Sequence, residues 1–122
     1  MADPLRILLL TPDAERFRGA LTLAAAQAAL GGEVALFLQL DAVGLLRHPV
    51  EGPRDGAHAA AGLPPLATLL HDAMTLGVAI SVCQSGLSLA ALSADALPQG
   101  VVVSGPVGWL RDTAHLGPVT LA

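Results

Sequence analysis

GVAISVCQSGLSLAAL, residues 77–92, predicts a strand that runs directly into a helix. Gly77 ends the preceding helical segment, and VAISV is a short apolar run without polar alternation. Such a run is typical of a parallel strand that is covered on both faces. The small polar residues that follow Cys83 then begin the next helix. Cys83, the only cysteine of the chain, is therefore predicted at the carboxyl end of a buried strand.

The same alternation of strand and helix extends in both directions along the chain. Apolar runs at 6–10 and 33–40 predict two strands before this one, and those at 101–104 and 118–122 predict two after it. Apolar residues at helical spacing predict crossover helices between them. We therefore predict one domain, residues 1–122, with a three-layer α/β/α sandwich around a mostly parallel five-stranded sheet. The pattern leaves the strand order open.

Residues with strong local preferences predict the ends of several elements. Thr11 is a candidate N-cap for the first helix, with Pro12 at its first position. Asp41 is predicted to cap a short helix that ends at Leu46. The proline- and glycine-rich segment 47–65 predicts a long flexible loop, of a length that is usually functional or disordered.

The composition predicts self-association and argues against nucleic-acid binding. Hydrophobic residues make up 53% of the 122 residues and charged residues only 13%. A small monomer of this kind exposes large apolar patches, so we expect a homo-oligomer. The net charge is −4, and the basic residues are scattered arginines that form no positive patch. With 2% aromatic residues, a platform for stacking bases is not expected.

The sequence also predicts the cellular compartment and excludes some roles for the cysteine. The segment MADPLRILLLTPD lacks the pattern of a signal peptide, and the longer apolar stretches are interrupted by glycines or polar residues. We therefore expect a cytoplasmic protein that does not enter the membrane. A single cysteine excludes an internal disulfide and a four-cysteine zinc site.

The position of Cys83 allows two interpretations. Reactive groups of parallel sheets collect at the carboxyl ends of strands, and a helix start stabilises a thiolate. The amide of Gln84 belongs to that helix start, Ser85 is placed to donate a hydrogen bond to the sulfur, and Gly86 allows a ligand or another backbone to come close. Against this, most lone cysteines are inert packing residues.

Other candidates for the same site are weaker. Asp41 ends the second strand at the same sheet edge as Cys83, although capping is its expected role. His58, in segment 47–65, is a candidate base that would approach Cys83 from its own or a neighbouring subunit. The histidines do not show metal-ligand spacing, and no metal site is predicted. Trp109 is expected in the core or at a subunit interface.

Two segments resemble the DsrE/DsrF-like family. ALTLAAAQAALGGEVALFLQLDAVGLL (20–46) is similar to the family's first helix, glycine turn, second strand and following turn. LPPLATLLHDAMTLGVAISVCQSGLSLAALSADALPQGVVVSG (63–105) resembles its continuation, in which a strand leads into a cysteine before a Gly-Leu helix. The order and spacing agree over roughly residues 5–121.

The resemblance implies a small α/β protein that assembles as trimers, hexamers or mixed complexes. Some members relay sulfur, and their strand-end cysteine, which matches Cys83, accepts sulfane sulfur as a persulfide from a donor protein and passes it to an acceptor. This chemistry requires no cofactor, and whether it makes the protein a sulfurtransferase-like enzyme stays open. The alternative is a non-catalytic binding or assembly module with an incidental cysteine. A thiol peroxidase is disfavoured because no resolving cysteine is present.

Overall fold

A computed structural model describes residues 2–122, which fold around a parallel β-sheet. The strands are β1 (Leu5–Leu9), β2 (Val34–Leu38), β3 (Ala79–Cys83), β4 (Val102–Ser104) and β5 (Val119–Leu121). Every strand pair is parallel, and the order across the sheet is β4-β3-β2-β1-β5. The predicted strands are thus confirmed, with their ends shifted by one or two residues.

Helices lie on both faces of this sheet, which confirms the three-layer α/β/α prediction. They are α1 (Ala14–Ala29), α2 (Asp55–Ala60), α3 (Leu66–Thr75), α4 (Gln84–Leu89) and α5 (Pro106–Asp112), with short 3₁₀ helices at Leu40–Leu46, Ala94–Ala96 and Ala114–Leu116. Within residues 2–122, no helix combines the length and the apolar character needed to cross a membrane.

The two faces of the sheet are buried by different elements because side chains alternate along each strand. Ile80 and Val82 point into the main core, where Phe17 of α1 and Leu70 of α3 pack against the sheet. Cys83 belongs to the smaller second core, which we call the Trp109 cluster. Its buried members are Ala35, Phe37, Cys83, Trp109 and Leu116.

The first helix begins two residues later than predicted. Its N-cap is Asp13, whose carboxylate accepts hydrogen bonds from the amides of Glu15, at 2.9 Å, and Arg16, at 3.1 Å. The prediction of Thr11 as N-cap with Pro12 in the first turn is therefore wrong. The carboxylate of Asp13 satisfies two amides that the start of a helix leaves unpaired, and Pro12 lies before the helix.

The capping role predicted for Asp41 is also wrong. The chain turns at Leu40, which has a φ of 54°, and the 3₁₀ helix begins at that residue. Asp41 therefore lies inside the helix rather than before it, and its side chain makes no capping hydrogen bond. The short helix itself ends at Leu46, as predicted.

Segment 47–65, predicted as a long loop, contains the helix α2 and is attached to α1. Arg18 of α1 donates from Nη2 to Oδ1 of Asp55, at 2.6 Å, and from Nη1 to the carbonyl of Pro64, at 2.7 Å. The Asp55 carboxylate also accepts the amides of Gly52 and Leu66, each at 3.0 Å. The prediction of a loop throughout is wrong because Asp55–Ala60 form a helix, and Asp55 and Pro64 are both bonded to one buried cation.

Candidate functional site

Cys83 lies at the junction between strand and helix that the sequence predicted. It is the last residue of β3 and the N-cap of α4, opposite Ser104 of β4 in the sheet register. Its side chain points into the Trp109 cluster and is only 1% exposed. The thiol therefore sits at a sheet edge where reactive groups collect, but protein atoms cover it within the single chain.

One polar side chain contacts the sulfur. The Oγ of Ser85 lies 3.1 Å from the Sγ of Cys83, which is hydrogen-bonding distance for a sulfur–oxygen pair. Ser85 is in the first turn of α4 and is exposed, as is the neighbouring Gln84. A hydroxyl in this position donates to a thiolate and accepts from a thiol. The structure thus brings together Cys83 and Ser85, as the sequence analysis expected.

Gly86 lies where two backbone segments meet. It is buried, and a Cβ at this position would lie 2.8 Å from the carbonyl oxygen of Leu40 and would overlap the side chain of Val43. The expectation that Gly86 permits a close backbone approach is confirmed. The partner is the 3₁₀ helix that follows β2, so α4 is held against the end of the neighbouring strand.

We predict that Gly86→Ala lowers the free energy of unfolding by about 1–3 kcal/mol, because an added Cβ forces α4 away from Leu40. The matched control is Gly19→Ala in α1, where an added Cβ meets no atom within 4 Å. Alanine there should be stabilising by about 0.5–1 kcal/mol, since glycine is a poor residue for a helix interior. Denaturant unfolding of both variants tests the pair, and equal effects would contradict the close approach.

Trp109 of α5 forms the wall of the cluster beside Cys83. Its ring stacks on that of Phe37, with centroids 4.9 Å apart and planes inclined by 12°. The guanidinium of Arg6 lies 5.6 Å from the centroid of the Trp109 ring, and its Nε donates to the carbonyl of Gly117 at 2.8 Å. Trp109 is 4% exposed and so belongs to the core, one of its two expected locations.

The remaining predicted site residues lie elsewhere. His58 is on α2, where its Nε2 lies 3.0 Å from Oε1 of Glu15 in α1. Asp41 is exposed on the 3₁₀ helix after β2. Neither side chain hydrogen-bonds to Cys83 in the single chain. Across residues 2–122, the structure forms no group of three His, Cys, Asp or Glu side chains able to hold a metal ion.

Comparison with known families identifies the protein class. The model of the DsrE/DsrF-like family matches residues 6–112, which include all but the first residue of β1, the strands β2 to β4, and Cys83. The chain belongs to the DsrE/DsrF-like family. The resemblance found in the two sequence segments is therefore confirmed, and the strand-end cysteine lies inside the matched region of this DsrE/DsrF-like protein.

Solved structures share the fold at low sequence identity. The ychN protein from E. coli superposes with a TM-score of 0.71 at 17% identity, over 98% of this chain and 99% of that one. A protein of unknown function, MTH1491 from Methanobacterium thermoautotrophicum, superposes with a TM-score of 0.61 at 16% identity, over 97% and 99% of the two chains. A comparison with curated proteins gave no match.

Proposed function

We propose that this DsrE/DsrF-like protein carries sulfane sulfur as a persulfide on Cys83. The observation that carries the proposal is the placement of Cys83 at the carboxyl end of β3, with the hydroxyl of Ser85 3.1 Å from its sulfur. Family membership supports the same chemistry. Donor and acceptor are persulfide- and thiol-bearing proteins, and the cycle needs no metal or organic cofactor.

The loading step is an exchange between sulfur atoms. The Cys83 thiolate attacks the outer sulfur of a donor persulfide, a new S–S bond forms at Sγ, and the donor's S–S bond breaks. The donor leaves as a thiol, so one sulfur atom moves and the pair undergoes no net oxidation. An acceptor thiolate then attacks the outer sulfur on Cys83 and regenerates its thiolate. The Ser85 hydroxyl donates to the Sγ thiolate that attacks and is later regenerated, and a hydrogen bond to a charged group is stronger than a neutral one.

Access to the sulfur requires local opening, because Cys83 is 1% exposed. The two elements that lie next to it are short: α4 has six residues and α5 has seven. Short elements with few buried side chains open at lower free energy than core strands. The donor therefore reaches Cys83 after displacement of α4 or α5, rather than through a large rearrangement of the sheet.

Intact mass spectrometry after incubation with glutathione persulfide tests the proposal. We expect the protein to gain the mass of one sulfur atom, to lose it on treatment with a reductant, and to transfer it to an added acceptor thiol. The alternative, a non-catalytic assembly module, is favoured by the burial of Cys83 in the Trp109 cluster. A folded protein that gains no sulfur at any donor concentration would establish that alternative.

We further propose that copies of this chain associate through the face of the sheet that bears α5. Apolar side chains remain exposed there at both sheet edges and on the outer surface of the helix: Val102, Leu121, Val107 and Leu110. Such a concentration of apolar surface is unusual on a monomer. A homotrimer or homohexamer would bury this apolar surface.

We predict that Val107→Asp dissociates this assembly into smaller species, because it places a charge on a residue that is 77% exposed at the proposed interface. The control is Leu30→Asp, which alters a similarly exposed leucine, at 73%, at the end of α1. Light scattering after size exclusion should show wild-type mass for the control. A monomeric wild-type protein would contradict the association.

A further inference from the structure

The first turn of α4 lies between the sulfur of Cys83 and solvent. Ser85 of that turn is exposed, and its Oγ lies 3.1 Å from Sγ. The helix α4 buries Gly86 and Leu87, whereas α5 buries the large side chain of Trp109 in the Trp109 cluster. A helix that buries less apolar surface opens at lower free energy. Of the two short helices beside the sulfur, α4 is therefore the one that opens more readily.

A side chain from outside α4 bonds to its C-terminal end. Arg47, which begins segment 47–65, donates from Nη2 to the carbonyl oxygen of Ala90 at 2.7 Å. Ala90 is the C-cap of α4, so its carbonyl is among those that a helix end leaves without an intrahelical partner. Arg47 also follows directly after the 3₁₀ helix Leu40–Leu46, against which α4 packs at Gly86. The guanidinium thus ties the end of α4 to the element that supports its middle.

The turn that ends α4 is of a kind that favours glycine. The amide of Leu92 donates to the carbonyl of Leu87 at 3.0 Å, and the amide of Ala91 donates to that of Ser88 at 3.2 Å. This pair of bonds is the Schellman motif, in which the turn residue is usually glycine. Ala91 is that residue and has a φ of 53°, in the left-handed region where a Cβ is unfavourable. The helices α1, α2 and α3 end in the same pattern with glycine at this position: Gly31, Gly62 and Gly77.

We propose that α4 is a gate over Cys83, which the Arg47–Ala90 hydrogen bond holds closed and which the strained turn at Ala91 makes easier to open. The closed gate shields the thiol, which is 1% exposed, and the open gate presents it to the donor. The inference deepens the carrier function proposed above, since it names the element that the donor displaces. It concerns access to the thiol alone, so its test requires no sulfur transfer.

Alkylation of Cys83 by iodoacetamide in native buffer measures how often the gate opens. Because Cys83 is the only cysteine, intact mass spectrometry gives one rate for one site. Arg47→Ala removes a hydrogen bond with a charged donor and should be alkylated roughly fivefold faster than the wild type. Ala91→Gly relieves the left-handed alanine and should be alkylated roughly threefold more slowly. The gate thus predicts opposite effects for the two variants.

Arg47→Lys and Arg54→Ala are the matched controls. Because one nitrogen of Arg47 makes the bond, a lysine ammonium can replace it and should restore most of the protection. Arg54 is an exposed arginine of the same segment that makes no hydrogen bond to α4 within residues 2–122, so its replacement should leave the alkylation rate unchanged. Urea unfolding of each variant gives the rate that global unfolding alone would allow, and the measured rates should exceed it.

Equal alkylation rates for wild type, Arg47→Ala and Ala91→Gly would overturn the gate. Rates that follow the global unfolding equilibrium in all variants would overturn it as well, because α4 would then not open by itself. The carrier function would survive either result if glutathione persulfide still loads sulfur onto Cys83. The expected alkylation rates in a protein that gains no sulfur would leave the gate in place and overturn the carrier function.

Discussion

Cys83→Ala is expected to bind no sulfur from glutathione persulfide, whereas the wild-type protein gains one atom. The loss should be complete because the chain has no other cysteine that could form the S–S bond. Intact mass spectrometry before and after reductant measures it directly. A reductant-sensitive gain in Cys83→Ala would contradict the proposed chemistry, since no remaining side chain forms a persulfide.

The variant should remain folded, which separates lost chemistry from lost structure. Cys83 is buried among Phe37 and Trp109, and truncation to alanine removes one sulfur atom from that packing. The smallest core truncations typically cost about 1–2 kcal/mol, which a domain of this size tolerates. Circular dichroism and size exclusion should match those of the wild type.

Ser85→Ala is the control that retains the thiol. It removes the oxygen 3.1 Å from Sγ on an exposed residue, so stability should change little. We expect the variant to load sulfur to the same final extent but more slowly, by roughly threefold to tenfold, because one hydrogen bond to the anionic sulfur is lost. A wild-type loading rate would exclude Ser85 from the mechanism.

Asp55→Asn is expected to lower the free energy of unfolding at pH 7 by about 2–3 kcal/mol. The Asp55 carboxylate accepts hydrogen bonds from three donors: Arg18 Nη2 and the amides of Gly52 and Leu66. An asparagine amide turns its own N–H₂ toward one of these donors. It also removes the nearer of the two carboxylates that pair with the guanidinium of Arg18, which is 9% exposed, and leaves it with Glu15 at 4.0 Å.

We also predict that the loss of stability caused by Asp55→Asn depends on pH. The amide of Gly52, with further contributions from the Leu66 amide and the Arg18 guanidinium, holds the pKa of Asp55 below its ordinary value of 3.8, against the opposing effect of partial burial. A carboxyl group with a lowered native pKa stabilises the fold above its unfolded pKa, and this contribution is lost as the pH falls through the native pKa. The difference between wild type and Asp55→Asn should therefore shrink below about pH 4.

Urea unfolding between pH 3 and pH 7 measures both effects. Asp72→Asn, an exposed carboxylate on α3, is the control and should change stability by less than about 0.5 kcal/mol. A difference between wild type and Asp55→Asn that is independent of pH would show that the ionised carboxylate does not stabilise segment 47–65.

Several features of the site followed from local sequence alone. The apolar run before Cys83 and the small residues after it determined a strand that enters a helix, because both patterns depend on neighbouring residues. The same holds for Gly86, where the absence of a side chain indicated a close approach before its partner was known. The family resemblance could also be found from the sequence alone, because it depends on the order of these short segments.

Local errors arose where two residues competed for one role. Thr11 and Asp13 both suit an N-cap, and only the path of the chain after β1 decided between them. Asp41 has the chemistry of a cap, but the left-handed turn at Leu40 placed it inside the helix. The helix α2 depends on Asp55 reaching Arg18 across 37 residues, which no local pattern predicts.

The sequence by itself determined which segments become strands and helices, and that a cysteine lies at the end of β3. Only the tertiary structure decided that Trp109, which follows β4, covers this cysteine and leaves its own N–H unpaired. The physical reason is that secondary structure responds to patterns over a few residues. Burial of a side chain and the pairing of its polar atoms depend on which strands become neighbours in the sheet.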